Sequence, residues 1–248
     1  MQVTLSEDER FLEVDFGAPQ RTLSWAIVGG GFGEHRRVVW HFVTRAELHE
    51  GIDAVALFKE RMAARGFDAA VGLLTARYLR PYADARAQHG DVSGRAIVTS
   101  GLGNALRAGD PPESKSTSGS RAPGRASTVG TINVLCHLSV HLSDAAMLEA
   151  LALASEARTL ALLELNYPSA LTHKPATGTG TDCIVITCPR EGLVHDYAGK
   201  HTEVGAVVGE CVHAAMRHAT QVWLSEQAER EAEREPAGAP EKNEAVGV

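Results

Sequence analysis

The chain has 248 residues, 44% hydrophobic and 22% charged, the balance of a globular protein with a buried core, which excludes disorder of the whole chain. Its net charge of -7 and pI of about 5.9 lack the basic footprint that nucleic acid binding requires. The start, MQVTLSEDERFLEVDF, has no charged-then-apolar leader, and no apolar stretch approaches the ~18 residues of a membrane span, so a cytoplasmic location with neither nucleic acid nor membrane as partner is expected.

Short apolar or alternating segments at Phe11 to Phe16, Leu23 to Val28 and Val38 to Val43, punctuated by Gly29-Gly30-Gly31 and Gly33, predict an N-terminal meander of strands. Ile52 to Arg65 carries Val55, Phe58 and Met62 at helical spacing, and strand character returns at Ala69 to Thr75, Ala96 to Ser100 and Thr131 to Leu138. Ser143 is a suitable N-cap for an Ala/Leu-rich helix over Ala145 to Leu165. Asp182 to Thr187 reads as a strand ended by Pro189. Glu203 to about Ala228 reads as a second long helix, with Val207, Val208, Cys211, Val212, Ala215 and Met216 toward the core. The predicted fold class is α+β, a single domain with a mixed β-sheet layered with two long helices and one shorter helix.

Two segments are too polar and small-residue-rich to offset their ordering entropy. They are a flexible polar insert at residues 109–128 and a charged tail at 226–248, which leave residues 1–225 as the domain. The Glu/Arg-rich start of the tail is suited to prolonging the preceding helix. The four cysteines, at 136, 183, 188 and 211, have no C-x-x-C spacing and read as buried thiols. Histidines 137 and 141, and 213 and 218, are poorly placed for a shared metal, so no metal site is assigned.

The most unusual stretch is Ala176-Thr177-Gly178-Thr179-Gly180-Thr181-Asp182, directly ahead of an apolar strand. Alternating Gly and Thr let backbone amides approach a ligand while hydroxyls add donors, which suits an anion or oxyanion; a plain turn entering a strand is the alternative. It is neither a Walker loop, lacking Gly-Lys-Ser/Thr, nor a Rossmann fingerprint, since the strand follows it. Tyr197, Lys200, His201 and Thr202 gather ahead of the last helix, where His201 is either a base or an ordinary helix-start residue. Asn104, Thr131 and Asn133 stand beside Gly turns, where an Asn amide either grips another amide or closes its own turn. Glu156 is a raised-pKa carboxyl if it faces the sheet and a solvated charge if it faces out.

Taken together, LSWAIVGGG at Leu23 to Gly31, VGLLTA at Val71 to Ala76, TSGLGNA at Thr99 to Ala105 and GTINVL at Gly130 to Leu135 resemble the adenosylcobinamide amidohydrolases of corrinoid salvage. The resemblance continues through LSDAAMLEALALASEARTLAL at Leu142 to Leu162, ATGTGTD at Ala176 to Asp182 and YAGKHTEVGAVVGECV at Tyr197 to Val212. The insert, the tail and Ala154-Ser155 depart from the pattern.

The resemblance implies hydrolysis of the amide between the corrin propionate and aminopropanol of adenosylcobinamide, giving adenosylcobyric acid. It implies a small-molecule corrinoid as substrate rather than cofactor, with no cofactor needed; homo-oligomerisation is left open. The alternatives are a non-catalytic corrinoid carrier and an amidohydrolase of complete corrinoids with a foreign lower ligand. Amide hydrolysis needs an activated water or nucleophile, an oxyanion stabiliser and an acid for the amine. The expected assignment gives water activation to Asp182 and His201 and amine protonation to Glu156. Thr177, Gly178, Thr179, Gly180, Thr181, Asn104, Thr131, Asn133, Tyr197, Lys200 and Thr202 bind substrate, with the loop amides and Asn133 at the oxyanion. A nucleophile among Thr177, Thr179 and Thr181 is the rival assignment.

Overall fold

The computed structural model describes residues 1–48, 51–112 and 130–234. Most of the predicted insert, from residue 113 to its end, and the tail beyond residue 234 lie outside these described residues. In chain order the main elements are β1 (Gln2–Leu5), β2 (Phe11–Ser24), β3 (Gly31–Phe42), α1 (Ala54–Ala63), β4 (Val71–Thr75), β5 (Ala83–His89), β6 (Val92–Ser100), β7 (Ala105–Leu106) and β8 (Ile132–Leu138). They are followed by β9 (His141–Leu142), α2 (Asp144–Glu164), β10 (Gly178–Thr179), β11 (Cys183–Cys188), β12 (Val194–His195) and α3 (Glu203–Arg234).

The principal sheet runs β4-β3-β2-β11-β8-β6-β5, with β1 added to β2. The β3/β4 and β11/β8 pairs are parallel and the other pairs antiparallel, which makes the sheet mixed, as predicted.

Alternation along the central strands sends two sets of side chains to two cores. Ala96, Val98, Val134, Cys136, Ile184 and Ile186 meet the two long helices. The stripe Ala146, Ala150, Ala154, Ala157 and Ala161 of α2 is small enough to let α3 approach with Val204, Val207, Val208, Cys211, Val212 and Ala215. Ser143 caps α2, its hydroxyl accepting from Ala146 N at 3.2 Å. The opposite side chains, Ile97, Leu135 and Val185, pack with Leu12, Val14, Val38, Trp40, Val71 and Leu73 of the N-terminal strands. The sheet therefore curls on itself and brings β3 and β4 over the inner face of β6, β8 and β11. The β2/β3 register shifts between Asp15 and Gln20, with Gly17 at φ +81° in the irregular stretch, and such a bulge bends and twists the ribbon.

That bulge explains the first difference from the sequence reading. Phe11 to Phe16 and Leu23 belong to one bent 14-residue strand, and the chain leaves the sheet at Trp25 rather than Val28. Strand β5 has a polar sequence, ADARAQH, that carries no apolar alternation because it is an edge strand paired only to β6. The start of the tail prolongs the preceding helix, as its Glu/Arg-rich sequence suits it to do: residues 226–234 continue α3, past the predicted domain boundary at residue 225. Glu226 is tied to the sheet side of the molecule by a two-pronged ion pair with the buried Arg77, at 2.5 and 2.8 Å. Within the predicted flexible insert, Asp110 is tied down: it accepts from Arg107 N at 2.7 Å, Ser169 Oγ at 2.5 Å and Thr172 Oγ1 at 2.7 Å. No helix among the described residues is long and apolar enough to cross a membrane.

Removing Glu226 leaves the guanidinium of Arg77 buried without its carboxylate. Glu226→Ala is expected to lower unfolding stability by about 2 kcal/mol, the usual worth of a charged hydrogen-bonded pair; an unchanged urea midpoint would show that α3 is held without this contact.

Candidate active site

Curling of the sheet leaves a cavity of about 490 Å³ where β2, β4 and β6 end and β8 and β11 begin. Its walls include Trp25 and Ile27 after β2, Leu74 and Thr75 of β4, Asn104, Gly130, Thr131 and Asn133 around the start of β8, and Gly180, Thr181, Asp182 and Cys183. A pocket of this size takes one arm of a large ligand, the remainder lying across the mouth. Trp25 and Ile27 are about half exposed there, and the Trp25 indole N–H is fixed by donating to Asp182 O at 2.7 Å.

Register dictates the polar floor. Thr99, Asn133 and Cys183 are cross-strand neighbours on β6, β8 and β11 and continue the inward-facing row of Ile97, Leu135 and Val185. Thr99 and Asn133 are each about 1% exposed. Burial pushes the Cys183 thiol up to about 11, so it is protonated at neutral pH and ill suited to nucleophilic attack. The Ser24 hydroxyl is committed to Ile184 O at 2.8 Å.

Asp182 is the centre of the arrangement. Its Oδ1 accepts from Thr179 N at 3.0 Å, from the Thr179 hydroxyl and from Ile132 N at 3.3 Å; its Oδ2 accepts from Thr179 N at 3.0 Å and from Arg158 Nη1 at 2.6 Å. A single carboxylate thus joins the Gly/Thr loop, the first residue of β8 and helix α2. Gly178 is required here, because a Cβ on it would collide with Asp182 Oδ2. Burial pushes the Asp182 carboxyl above its usual value, against the downward pull of Arg158 and the Thr179 and Ile132 donors.

The rest of the loop divides into wall and support. Gly178 and Thr179 form β10, paired to β7, and the Thr177 hydroxyl accepts from Ala108 N at 2.8 Å, so Thr177 supports the wall from behind. Gly180 and Thr181 face the cavity, and the Thr181 hydroxyl lies 2.8 Å from that of Thr131. Asn133 Nδ2 donates to Leu74 O at 3.1 Å and so holds β8 to β4.

The expected trio of Asp182, His201 and Glu156 does not form. Arg158 reaches Asp182, and Glu156, two residues earlier on the same helix, points roughly 200° away at 100° per residue. Glu156 is a solvated charge, 57% exposed, in an ion pair with Lys200. That pair lies in a furrow between α2 and α3 whose walls also include Leu153, Leu160, Gly205 and His213. His201 and Tyr197 are exposed. Thr202 donates to Gly199 O at 2.8 Å and accepts from Gly205 N at 3.0 Å, which makes it the cap of α3. The Tyr197 to Thr202 segment therefore takes the helix-start reading and lines no part of the Asp182 cavity.

The cavity members that sequence reasoning missed include Trp25, Ile27, Thr75 and Cys183, with Arg158 behind Asp182. Arg158 carried a usable signal: a charge on the apolar stripe of a long helix needs a buried partner. Among the described residues no group of three His, Cys, Asp or Glu side chains is arranged to hold a metal ion.

Comparisons with known proteins extend this picture. Over residues 1–228 the chain matches the family model described as adenosylcobinamide amidohydrolase. It is 40% identical over 87 residues to an uncharacterized protein of Methanocaldococcus jannaschii, covering 34% of this chain and 33% of that one. It is 34% identical over 122 residues to an adenosylcobinamide amidohydrolase of Halobacterium salinarum, covering 48% of this chain and 47% of the relative, so the chain spans half or less of the length of these relatives. Among solved structures, a β-aminopeptidase of a Burkholderia species superimposes with a TM-score of 0.41 at 12% identity, over 84% of this chain and 78% of that chain. An L-aminopeptidase D-Ala-esterase/amidase of Ochrobactrum anthropi does so with a TM-score of 0.37 at 12% identity, over 89% and 82%. On the extent of the family match, the chain belongs to the adenosylcobinamide amidohydrolase family.

Proposed function

We propose that this chain hydrolyses the amide between the corrin propionate and aminopropanol of adenosylcobinamide, releasing adenosylcobyric acid and aminopropanol. The observation that carries the reading is the coincidence of a family match over residues 1–228 with a cavity walled by one buried carboxylate and several neutral polar groups. The corrin lies across the mouth against Trp25 and Ile27, and the aminopropanol arm enters.

With Glu156 and His201 elsewhere, proton handling falls to Asp182. Letting go of one of its present donors, it takes a proton from water as the water oxygen bonds to the amide carbonyl carbon, and returns that proton to the nitrogen as the C–N bond breaks. A carboxyl whose value is pushed upward by burial is better matched to both transfers than an ordinary aspartate. The Thr131 hydroxyl, held by that of Thr181, serves as a donor to the oxyanion. Asn133 is reassigned from that task, because its side chain holds β8 to β4 through Leu74 O. Arg158 pulls the Asp182 value down against burial and holds the carboxyl in place.

Incubating the full chain with adenosylcobinamide and analysing the mixture by mass spectrometry is expected to yield adenosylcobyric acid and free aminopropanol. Tight binding without either product would favour a carrier. Asp182→Asn, with folding checked by circular dichroism, is expected to lower kcat by about 10² to 10⁴, the usual contribution of a positioned base; unchanged turnover would remove Asp182 from the chemistry. Arg158 depresses the Asp182 value, so Arg158→Gln raises it further. The ionised base is then lost at a higher pH, and the acid limb of the kcat/KM profile is expected to move upward; an unmoved limb would assign that limb to another group.

A further inference from the structure

The inward-facing row that meets the cavity at Thr99 and Asn133 has a second end. Period two carries it back from Thr99 through Ile97 to Arg95 and Ser93 on β6, and onward from Asn133 through Leu135 to His137 and Ser139 at the close of β8. On the edge strand β5, Arg86 and Gln88 stand opposite Arg95 and Ser93. These residues line a hollow of about 590 Å³ whose wall also includes Met1. Arg95 precedes Thr99 by four residues, about 13 Å of strand, and the apolar Ile97 and Leu135 lie between, so the hollow is separate from the Asp182 cavity.

The two arginines differ in their commitments. The Arg95 guanidinium, 17% exposed, is held by Asp84 at 2.5 and 2.9 Å. The Arg86 guanidinium is exposed and has neither an ion pair nor a hydrogen bond among the described residues. No Asp or Glu is among the described residues that line the hollow.

The neutral side chains add donors. His137 Nδ1 lies 3.0 Å from the hydroxyl of Thr187, which is fully buried and needs an acceptor for its hydrogen. Nδ1 is that acceptor, so the ring proton sits on Nε2, which has no partner among the described residues. Burial pushes the His137 value down to about 4, with the N-terminal ammonium and Arg95 acting in the same direction, so the ring is neutral at neutral pH. Ser139 Oγ accepts from Ser93 N at 2.9 Å, which leaves its own proton free to donate. Donors converging here from β5, β8 and the turn after β8 outnumber the two oxygens of a carboxylate and suit the three free oxygens of a phosphate monoester, for which a guanidinium fork is the usual partner.

We propose that this hollow is a second binding site, independent of the amidohydrolase cavity, which takes the phosphate group of a small phosphomonoester between Arg86, His137 and Ser139. Arg95, fixed by Asp84, contributes positive field from the floor.

The test is calorimetric titration of the full chain at neutral pH with methyl phosphate, and with acetate for comparison. Saturable binding of methyl phosphate at least tenfold tighter than acetate is expected. Arg86→Gln removes no contact within the fold and is expected to weaken methyl phosphate about tenfold or more, the loss of one charged hydrogen bond. A proton NMR titration of the His137 ring, its signal assigned by its disappearance in His137→Gln, is expected to show the value rising when methyl phosphate is bound, because a dianion beside Nε2 favours the imidazolium. No saturable binding, acetate bound as tightly, an Arg86→Gln variant that binds as well as the unmodified chain, or an unmoved His137 value would each overturn the proposal.

Discussion

The buried ion pair between Asp182 and Arg158 is the constraint on which the rest of the site depends. Taking both charges out of water is expensive, and such a pair is tolerable only when its remaining hydrogen-bonding capacity is filled. Here the donors that fill it come from separate parts of the chain: Thr179 from the Gly/Thr loop, Ile132 from the first residue of β8 and Arg158 from α2. Satisfying one carboxylate thereby fixes the loop, the strand start and the helix relative to one another. The same carboxylate borders the cavity, so the contact that organises the fold is also the contact that places a carboxyl at the cavity wall.

The second constraint is the bend in β2. Without the register shift between Asp15 and Gln20, the N-terminal strands would continue a flat sheet, and Leu12, Val14 and Trp40 would have no inner face to cover. Because the sheet curls, β4 comes close enough for Leu74 O to accept from Asn133, and the space between the two halves narrows into a cavity open at one end. The polar row Thr99, Asn133 and Cys183 falls inside that opening because it lies at the ends of strands whose other inward positions are apolar.

Much of the architecture was legible in the sequence, since long helices and buried central strands announce themselves by period and composition: α2, β8 and β11 begin and end close to their predicted limits, and α3 begins where predicted but runs on to Arg234. Strand β5 was not legible, because an edge strand need not be apolar, and the bend in β2 was mistaken for a gap between strands. The site was half legible. Glycine and threonine alternation identified the loop, and Asn104, Thr131 and Asn133 meet it in one cavity. His201 and Glu156 do not, because chain proximity to a family motif says nothing about which face of a helix a side chain takes; a rotation of about 200° separates Glu156, in water, from Arg158, in the core. Trp25 reaches the site only through the path of the chain leaving β2, which no local pattern encodes.

A crystal structure of the full chain with cobinamide bound would test the central claim most directly. The account predicts the aminopropanol arm inside the cavity, its amide beside Asp182 and Thr131, with the corrin against Trp25 and Ile27. An arm seated instead in the furrow between α2 and α3, against Glu156 and Lys200, would contradict it and restore the catalytic role first expected of those helices.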